Sequence, residues 1–333
     1  MNKLTVVIPT YRGGPWIRAC LGSVLASRGI SLRIVVFDNA STDGTRDIVG
    51  GEFPQVELIA SPENVGFARA NNRVIRRAIS RGDDFVFLLN EDTRVDPDTL
   101  AELVRVAVRH DVSILSPLQY DYEGAAFEND FGSLVRQEHP PRNWERAEFV
   151  ATSRIIGAAM LLRLSTIRRI GMFDPIYFLY AEEEDLCRRA LSHGYRVGIT
   201  PSARIYHGHK STGNFLALER MRRFNMIRGK YVLALKNPRQ SFSRAMLVLV
   251  AQVGRDIKAV FETHSLSTVW DFVLASVQVL SGLERIRRRR RLERDLSGEL
   301  WTHQEMGLAP DRREGSGPRA HGPDGAPAVW PRQ

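Results

Sequence analysis

Three features of the 333-residue sequence predict an α/β fold, with a doubly wound, mostly parallel sheet and a helical C-terminal extension. Short β-branched runs alternate with stretches of helical hydrophobic period through the first two thirds of the chain. Those runs are apolar throughout instead of alternating, as strands covered on both faces require. Beyond Phe215 the period turns helical almost without interruption. Hydrophobic residues make up 43% of the chain and charged residues 26%, enough to bury one large core or two smaller ones.

Leu4 to Ile8, Leu32 to Phe37, Val56 to Ala60 and Phe85 to Leu89 are the expected strands. Ile17, Cys20, Leu21, Val24 and Leu25 recur at helical spacing after the first strand. Leu100, Leu103, Val104 and Ala107 do so after the fourth, behind Asp96 as N-cap and Pro97 at the first helical position. Ligands of such sheets bind beyond the carboxyl ends of the strands, which here means Pro9 to Tyr11, Asp38 to Asn39 and Asn90 to Thr93. From Asp121 to Phe149 the pattern weakens, and a long loop or hairpin over the site is expected. Ile155 to Leu162 resumes a strand, Glu182 to Ser192 a helix closed by Gly194, and Arg196 to His207 strand material. Helices then run to about Leu296 with a break at Pro238, and Gly307 to Gln333 carries too few large apolar residues to fold. The expected division is a sheet domain over 1–235, a basic helical extension over 236–300 and a disordered tail over 301–333.

Ala245 to Val253 and Trp270 to Leu283 are shorter than the ~20 apolar residues a spanning helix needs, and Asp271 interrupts the second. The run Leu4 to Ile8 is too short for a signal-peptide core, so a cytoplasmic chain is expected. Cys20 and Cys187 lie in apolar helical registers and read as buried thiols rather than a disulfide. The formal charge is +9, with seven arginines between Arg285 and Arg294. Such asymmetry suits nucleic acid, an acidic membrane surface or a solvated helix face. Apolar stretches abutting concentrated positive charge favour a peripheral, salt-sensitive association with an anionic membrane.

Five segments carry chemistry. DNASTDGT, Asp38 to Thr45, follows a strand; it is an ordinary strand-to-helix turn unless Asp38 accepts the imide N–H of a uracil or thymine base. NVGFARANN, Asn64 to Asn72, opens a helix whose N-terminus and Arg69 suit a diphosphate, although helix starts are common. In LLNEDT, Leu88 to Thr93, a strand ends on Asn90, Glu91 and Asp92, and Asp92 is either a turn former or a ligand for a hard divalent cation, Mg or Mn. In FDPIYFLYAEEEDLCRRALSHG, Phe173 to Gly194, an aromatic frame precedes Glu182, Glu183, Glu184 and Asp185. Helix capping accounts for part of that acidity, and a carboxylate beside an aromatic wall suits a general base. His207, in ARIYHGHKST, is a structural histidine or a ligand to metal or phosphate.

Together with GAAMLLR, Gly157 to Arg163, these segments resemble the family 2 glycosyltransferases of GT-A fold over residues 3 to 235, and within them the rhamnosyltransferase-like group. The resemblance implies an inverting, metal-dependent transfer of a sugar from a dTDP- or UDP-linked donor to a lipid-linked or saccharide acceptor in cell-envelope polysaccharide synthesis. It implies Asp38 at the base, Pro9, Tyr11, Asn64 and Asn90 around the nucleotide, and Arg69 near the diphosphate. It also implies Asp92 with His207 at the metal, Gly157 and Asp185 lining the acceptor pocket, and Glu183 as catalytic base. The sequence departs from the family pattern where Asn90 replaces a common Asp, Glu91 a common Pro, and Glu182-Glu183 the usual Glu-Asp pair. Glu182 is thus the other candidate for the base. A nucleotidyltransferase would want a Gly-rich, basic loop after the first strand, and Pro9 to Gly14 is a poor version of one. A nucleic-acid-binding reading of the arginine run leaves the sheet motifs unexplained, so no nucleic-acid partner is expected.

Overall fold

Residues 2–138, 140–208, 215–263 and 266–294 are described in a computed structural model of the chain. In chain order the first half contains β1 (Leu4–Thr10), α1 (Gly14–Leu25), β2 (Leu32–Asp38), α2 (Thr45–Glu52), β3 (Glu57–Ala60), α3 (Phe67–Arg81), β4 (Phe85–Leu89), β5 (Thr93–Val95) and α4 (Thr99–Arg109). Then come β6 (Val112–Asp121), α5 (Asn129–Glu138), β7 (Val150–Ala151), β8 (Ala159–Arg163), α6 (Leu164–Ile170), α7 (Glu182–Ser192) and β9 (Arg196–His207). Four helices follow: α8 (Phe215–Lys236), α9 (Phe242–Thr263), α10 (Leu266–Ser281) and α11 (Leu283–Arg294).

The strands form one sheet in the order β3-β2-β1-β4-β8-β6-β9-β5, with β7 paired to β9. β3, β2, β1 and β4 are mutually parallel, and this half is the doubly wound part expected from the apolar runs. The far half is mixed: β8 is antiparallel to β4 and β6, while β6 and β9 are parallel. β1, β4 and the last five residues of β2 are fully buried because helices cover both faces, which is why their sequences show no alternation. α3 closes on Gly82 at φ 72°, a left-handed turn that a glycine adopts without steric cost.

Three local expectations are corrected. α4 begins at Thr99 behind Asp98, two residues later than the Asp96-Pro97 start, because Pro97 lies in the preceding turn, where Thr99 N–H bonds the Asp96 carbonyl. The stretch 121–149 is not all loop: α5 and a 3-10 turn at Trp144–Arg146 lie within it, with Phe131, Leu134 and Trp144 buried. Its hydrophobic period is too short to stand out among polar neighbours. The strand expected over Ile155 to Leu162 forms only from Ala159, since Gly157 and its neighbours approach α7 as loop. Both cysteines are free and buried. The tail over 301–333 lies outside the described residues.

A second apolar core joins Ile176 and Tyr177, from the segment before α7, to Tyr231, Val232 and Leu235 of α8, Leu249 of α9, Val279 of α10 and Ile286 of α11. Beside it lies a buried ionic cluster. The Lys236 ammonium contacts Asp174 at 2.7 Å and Asp185 at 2.9 Å, and also pairs with Glu293 of α11; all four side chains are at most 1% exposed. Arg188 binds Asp185 and Glu293, and Arg189 binds Asp185 and the carbonyls of Ile170, Gly171 and Met172. The expected boundary at 235 therefore falls in the last turn of α8, where contacts cross it in both directions. Burial works against an ionised Asp185, yet Lys236, Arg188 and Arg189 hold its pKa well below the usual carboxylate range.

The arginine run is divided between interior and surface. Arg290 donates to the carbonyls of Leu235 and Gln240, Arg289 lies 3.9 Å from Asp174, and Arg287 covers the Phe242 ring. Arg285, Arg287, Arg288 and Arg291 are exposed.

Removing the ammonium leaves three buried carboxylates short of a counter-charge. Lys236→Met should cost about 3–5 kcal/mol of stability at neutral pH, read as a lower urea midpoint. Asp185 has a depressed folded-state pKa, so its contribution is full above its unfolded pKa and is lost as the pH falls through the folded one. The gap between wild type and variant should accordingly narrow in acid.

Candidate active site

The parallel strands deliver the first side chains. Thr10 and Asp38 are partners in register at the carboxyl ends of β1 and β2, and Asn39 N–H bonds the Thr10 carbonyl. Asp38 is fully buried. Its Oδ1 accepts from Arg46 Nε at 2.5 Å and from Ser41 N–H at 3.0 Å, while its buried Oδ2 has no hydrogen-bond partner. Arg46 was not singled out in the sequence; it sits on α2, eight residues on, where its guanidinium also reaches the Ser61 carbonyl. One Asp38 oxygen is thus held by protein, while the other is buried with its hydrogen-bonding capacity unused.

Pro9 lies buried in β1, and Tyr11 N–H donates to Glu91 Oε1 at 3.2 Å, so the unexpected Glu91 ties the β1 loop to the β4 loop. The Asn39 side chain accepts from Val65 N–H and that of Asn64 from Gly66 N–H, which fixes the entry to α3. Arg69 is exposed in the first turn of that helix.

β4 ends in a turn in which Asn90 N–H bonds the Ala158 carbonyl and Thr93 Oγ1 the Asn90 carbonyl. β5 then pairs antiparallel with β9, Thr93 opposite His207, which brings Asp92 and His207 together. Asp92 Oδ1 is buried and lies 3.4 Å from His207 Nε2, outside hydrogen-bond geometry. Burial would lower the His207 pKa, but Asp92, with Glu128 and Glu91 behind it, raises it overall. A carboxylate oxygen and an imidazole nitrogen this close suit a divalent cation whose remaining ligands come from phosphate and water. No set of three His, Cys, Asp or Glu side chains among the described residues could hold a metal by itself.

The acidic segment arrives from the other side. Phe67 N–H bonds the Phe178 carbonyl, and the Asn72 side chain bonds both the carbonyl and the N–H of Phe173. α7 begins after Tyr180 and Ala181, two consecutive non-glycine residues at φ 67° and 72°. Such backbone costs on the order of 1–3 kcal/mol per residue, and close packing of α8 against it at Gly229 holds it in place. The aromatic frame does not all wall the site: Phe173 and Tyr177 are core residues.

The four acids separate by environment. Glu184 is exposed, and Asp185 is consumed by the ionic cluster, so its expected place in the acceptor pocket is not where its carboxylate lies. Glu182 is buried; desolvation, then the charge of Glu183, pushes its pKa well up. Glu183 is half-buried with Oε2 unbonded, and desolvation pushes it up to about 7. Gly157 faces it, since a Cβ there would lie 3.7 Å from the Glu183 carboxyl carbon. Both glutamates have the unpaired, basic carboxylate that proton abstraction calls for, and Glu183 is the more accessible.

A buried carboxylate with one unbonded oxygen, a neighbouring aspartate and histidine, and a desolvated glutamate are thus placed around the carboxyl ends of the strands. The Glycosyl transferase family 2 profile matches residues 5–170, ending before Glu182. N-acetylglucosaminyl-diphospho-decaprenol L-rhamnosyltransferase of Mycobacterium tuberculosis is 32% identical over 241 residues, 64% of this chain and 78% of the relative. dTDP-rhamnosyl transferase RfbF of Shigella flexneri is 23% identical over 246 residues, 71% and 81% of the two chains. Among solved structures, the mannosyltransferase PcManGT of Pyrobaculum calidifontis, in complex with GDP-Man and Mn2+, superposes with a TM-score of 0.52 at 21% identity, over 88% of this chain and 84% of that one. The chain belongs to glycosyl transferase family 2. It is a glycosyltransferase of GT-A-like fold with rhamnosyltransferase relatives.

Gly66 joins the two halves of the site: its φ is 81°, and an added Cβ would stand 2.5 Å from the Phe178 carbonyl oxygen. Gly66→Ala should therefore cost about 1–3 kcal/mol, seen in a urea melt. The variant should also bind nucleotide sugar more weakly, because the α3 entry must shift.

Proposed function

We propose that the enzyme transfers L-rhamnose, with inversion, from a dTDP-linked donor to a hydroxyl of a lipid-linked saccharide in cell-envelope polysaccharide synthesis. The observation that carries the reaction is the half-buried Glu183 carboxylate, basic and unbonded at one oxygen. The names of the two rhamnosyl-transferring relatives support the sugar and the donor, and that of the mycobacterial relative supports a diphospho-polyprenol acceptor. The reaction then belongs at the cytoplasmic face of the membrane.

In this mechanism the acceptor oxygen attacks the anomeric carbon while its proton passes to Glu183, and the bond to the diphosphate breaks on the opposite face. Asp38 Oδ2 accepts the imide N–H of the base, and Arg69 with the N-terminus of α3 receives phosphate charge. Asp92 and His207 would hold Mg or Mn, which when bound neutralises charge on the departing diphosphate. Desolvation is the main cause of the basicity of Glu183, and like-charge repulsion from Glu184 adds to it.

A thermal-shift series with dTDP-rhamnose, UDP-sugars and GDP-sugars in Mn or Mg tests the donor. Stabilisation by the dTDP-linked sugar is expected, and a preference for GDP-sugars would overturn the reading. Asp92→Ala should abolish turnover and the metal-dependent part of nucleotide affinity, measured by calorimetry with and without Mn. Undiminished transfer would remove Asp92 from the metal site.

Glu183→Gln should keep donor binding and lose transfer by at least ~100-fold. A base works only when deprotonated, so kcat/KM of the wild type should rise about tenfold per pH unit below about 7 and level off above it. If Glu182→Gln gives this profile and Glu183→Gln stays active, the base is Glu182.

A further inference from the structure

α10 carries its polarity inside out. Its single charged residue, Asp271, is 1% exposed and faces inward, bonded to Arg220 and Arg223 of α8. Its outer face is dominated by Val269, Trp270, Val273, Leu274, Val277 and Leu280, with Trp270 56% and Val277 57% exposed, and its exposed polar residues, such as Gln278 and Ser281, carry no charge. The apolar residues recur at the helical spacing of one continuous stripe. Soluble proteins rarely leave so contiguous an apolar face open to water. α9, which packs on α10, also exposes Leu247, Val250 and Ile257.

The surroundings of this face select its occupant. α9 also exposes Arg244, Arg255 and Lys258, and α11 exposes Arg285, Arg287, Arg288 and Arg291. An apolar stripe with a tryptophan, set among cations and free of exposed carboxylates along α10, complements a bilayer whose surface is anionic. No helix among the described residues is long and apolar enough to cross a membrane. We propose that the outer face of α10, with the apolar residues exposed on α9, inserts into the interfacial zone of an anionic membrane, with the exposed arginines of α11 at headgroup level. This rests on the membrane-proximal reading of the reaction and assigns it a surface. Apolar insertion is the main attachment, since several arginines of the run are occupied within the protein; the arginines add a salt-sensitive share.

Co-sedimentation of the full chain with vesicles of phosphatidylglycerol and phosphatidylethanolamine tests it, at low and high salt. Trp270→Ser/Val273→Ser/Val277→Ser alters no charge and only outward side chains. It should weaken vesicle binding on the order of tenfold or more at both salt concentrations, with an unchanged circular dichroism melt. Arg287→Gln/Arg288→Gln/Arg291→Gln should weaken binding chiefly at low salt. Transfer to a detergent-soluble acceptor should survive in the serine variant, which separates this proposal from the assignment of the reaction. Unaltered vesicle binding by the serine variant overturns it, as does a wild-type chain that binds no vesicles. A wild-type dimer in sedimentation equilibrium that the serine substitutions dissociate, without vesicle binding, would assign the face to a second copy instead.

Discussion

One ammonium group ties the acidic helix α7 to the C-terminal helices. Lys236 is shielded from water and meets Asp174, Asp185 and Glu293, which come from the loop before the acidic motif, from α7 and from α11. Ions withdrawn from solvent tolerate little displacement, because each lost contact leaves an uncompensated charge. The start of α7, and with it Glu183, is therefore registered against the C-terminal helices as well as against the sheet. The apolar cluster of Ile176 and Tyr177 with α8, α9, α10 and α11 reinforces that registration without directional bonds.

Within one turn of α7, position relative to this cluster separates two carboxylates of similar intrinsic acidity. Asp185 faces Lys236, Arg188 and Arg189, and stays ionised despite complete burial. Glu183, two residues earlier, is turned away from those cations and toward Gly157, so desolvation dominates and its proton affinity rises. Both lie in a first helical turn, so the helix dipole acts on each; the difference comes from neighbours in space. Divergent pKa values in adjacent groups are the arrangement by which sites divide structural from chemical roles.

The sheet half was legible because its signals are local. Continuous apolar runs, the helical spacing of Ile17, Cys20, Leu21, Val24 and Leu25, and the turn from Asn64 that opens α3 all act within a few residues. So was the placing of Pro9 to Tyr11, Asp38 to Asn39 and Asn90 at the carboxyl ends of neighbouring parallel strands, since such strands end on the same side of the sheet. What escaped was the long-range pairing. Nothing near Asp185 in sequence announces Lys236, 51 residues on, or Glu293, and so the aspartate read as a pocket residue. Arg46 and Glu91 escaped for the same reason: each acts by closing a contact between separate loops, Arg46 on Asp38 and Glu91 on Tyr11. α5 was hidden because a helix of ten residues that buries only Phe131, Gly132 and Leu134 has little periodicity to display.

The two thiols described with the fold have a practical consequence. Cys20 and Cys187 are the only cysteines in the sequence, and desolvation pushes both pKa values far up, leaving almost no thiolate at neutral pH. Alkylating reagents consume the thiolate, so the folded enzyme is close to silent toward maleimides as it stands. A cysteine introduced at an exposed position would be the one fast-reacting group, and a fluorophore or spin label could report on the molecule without first replacing the native pair.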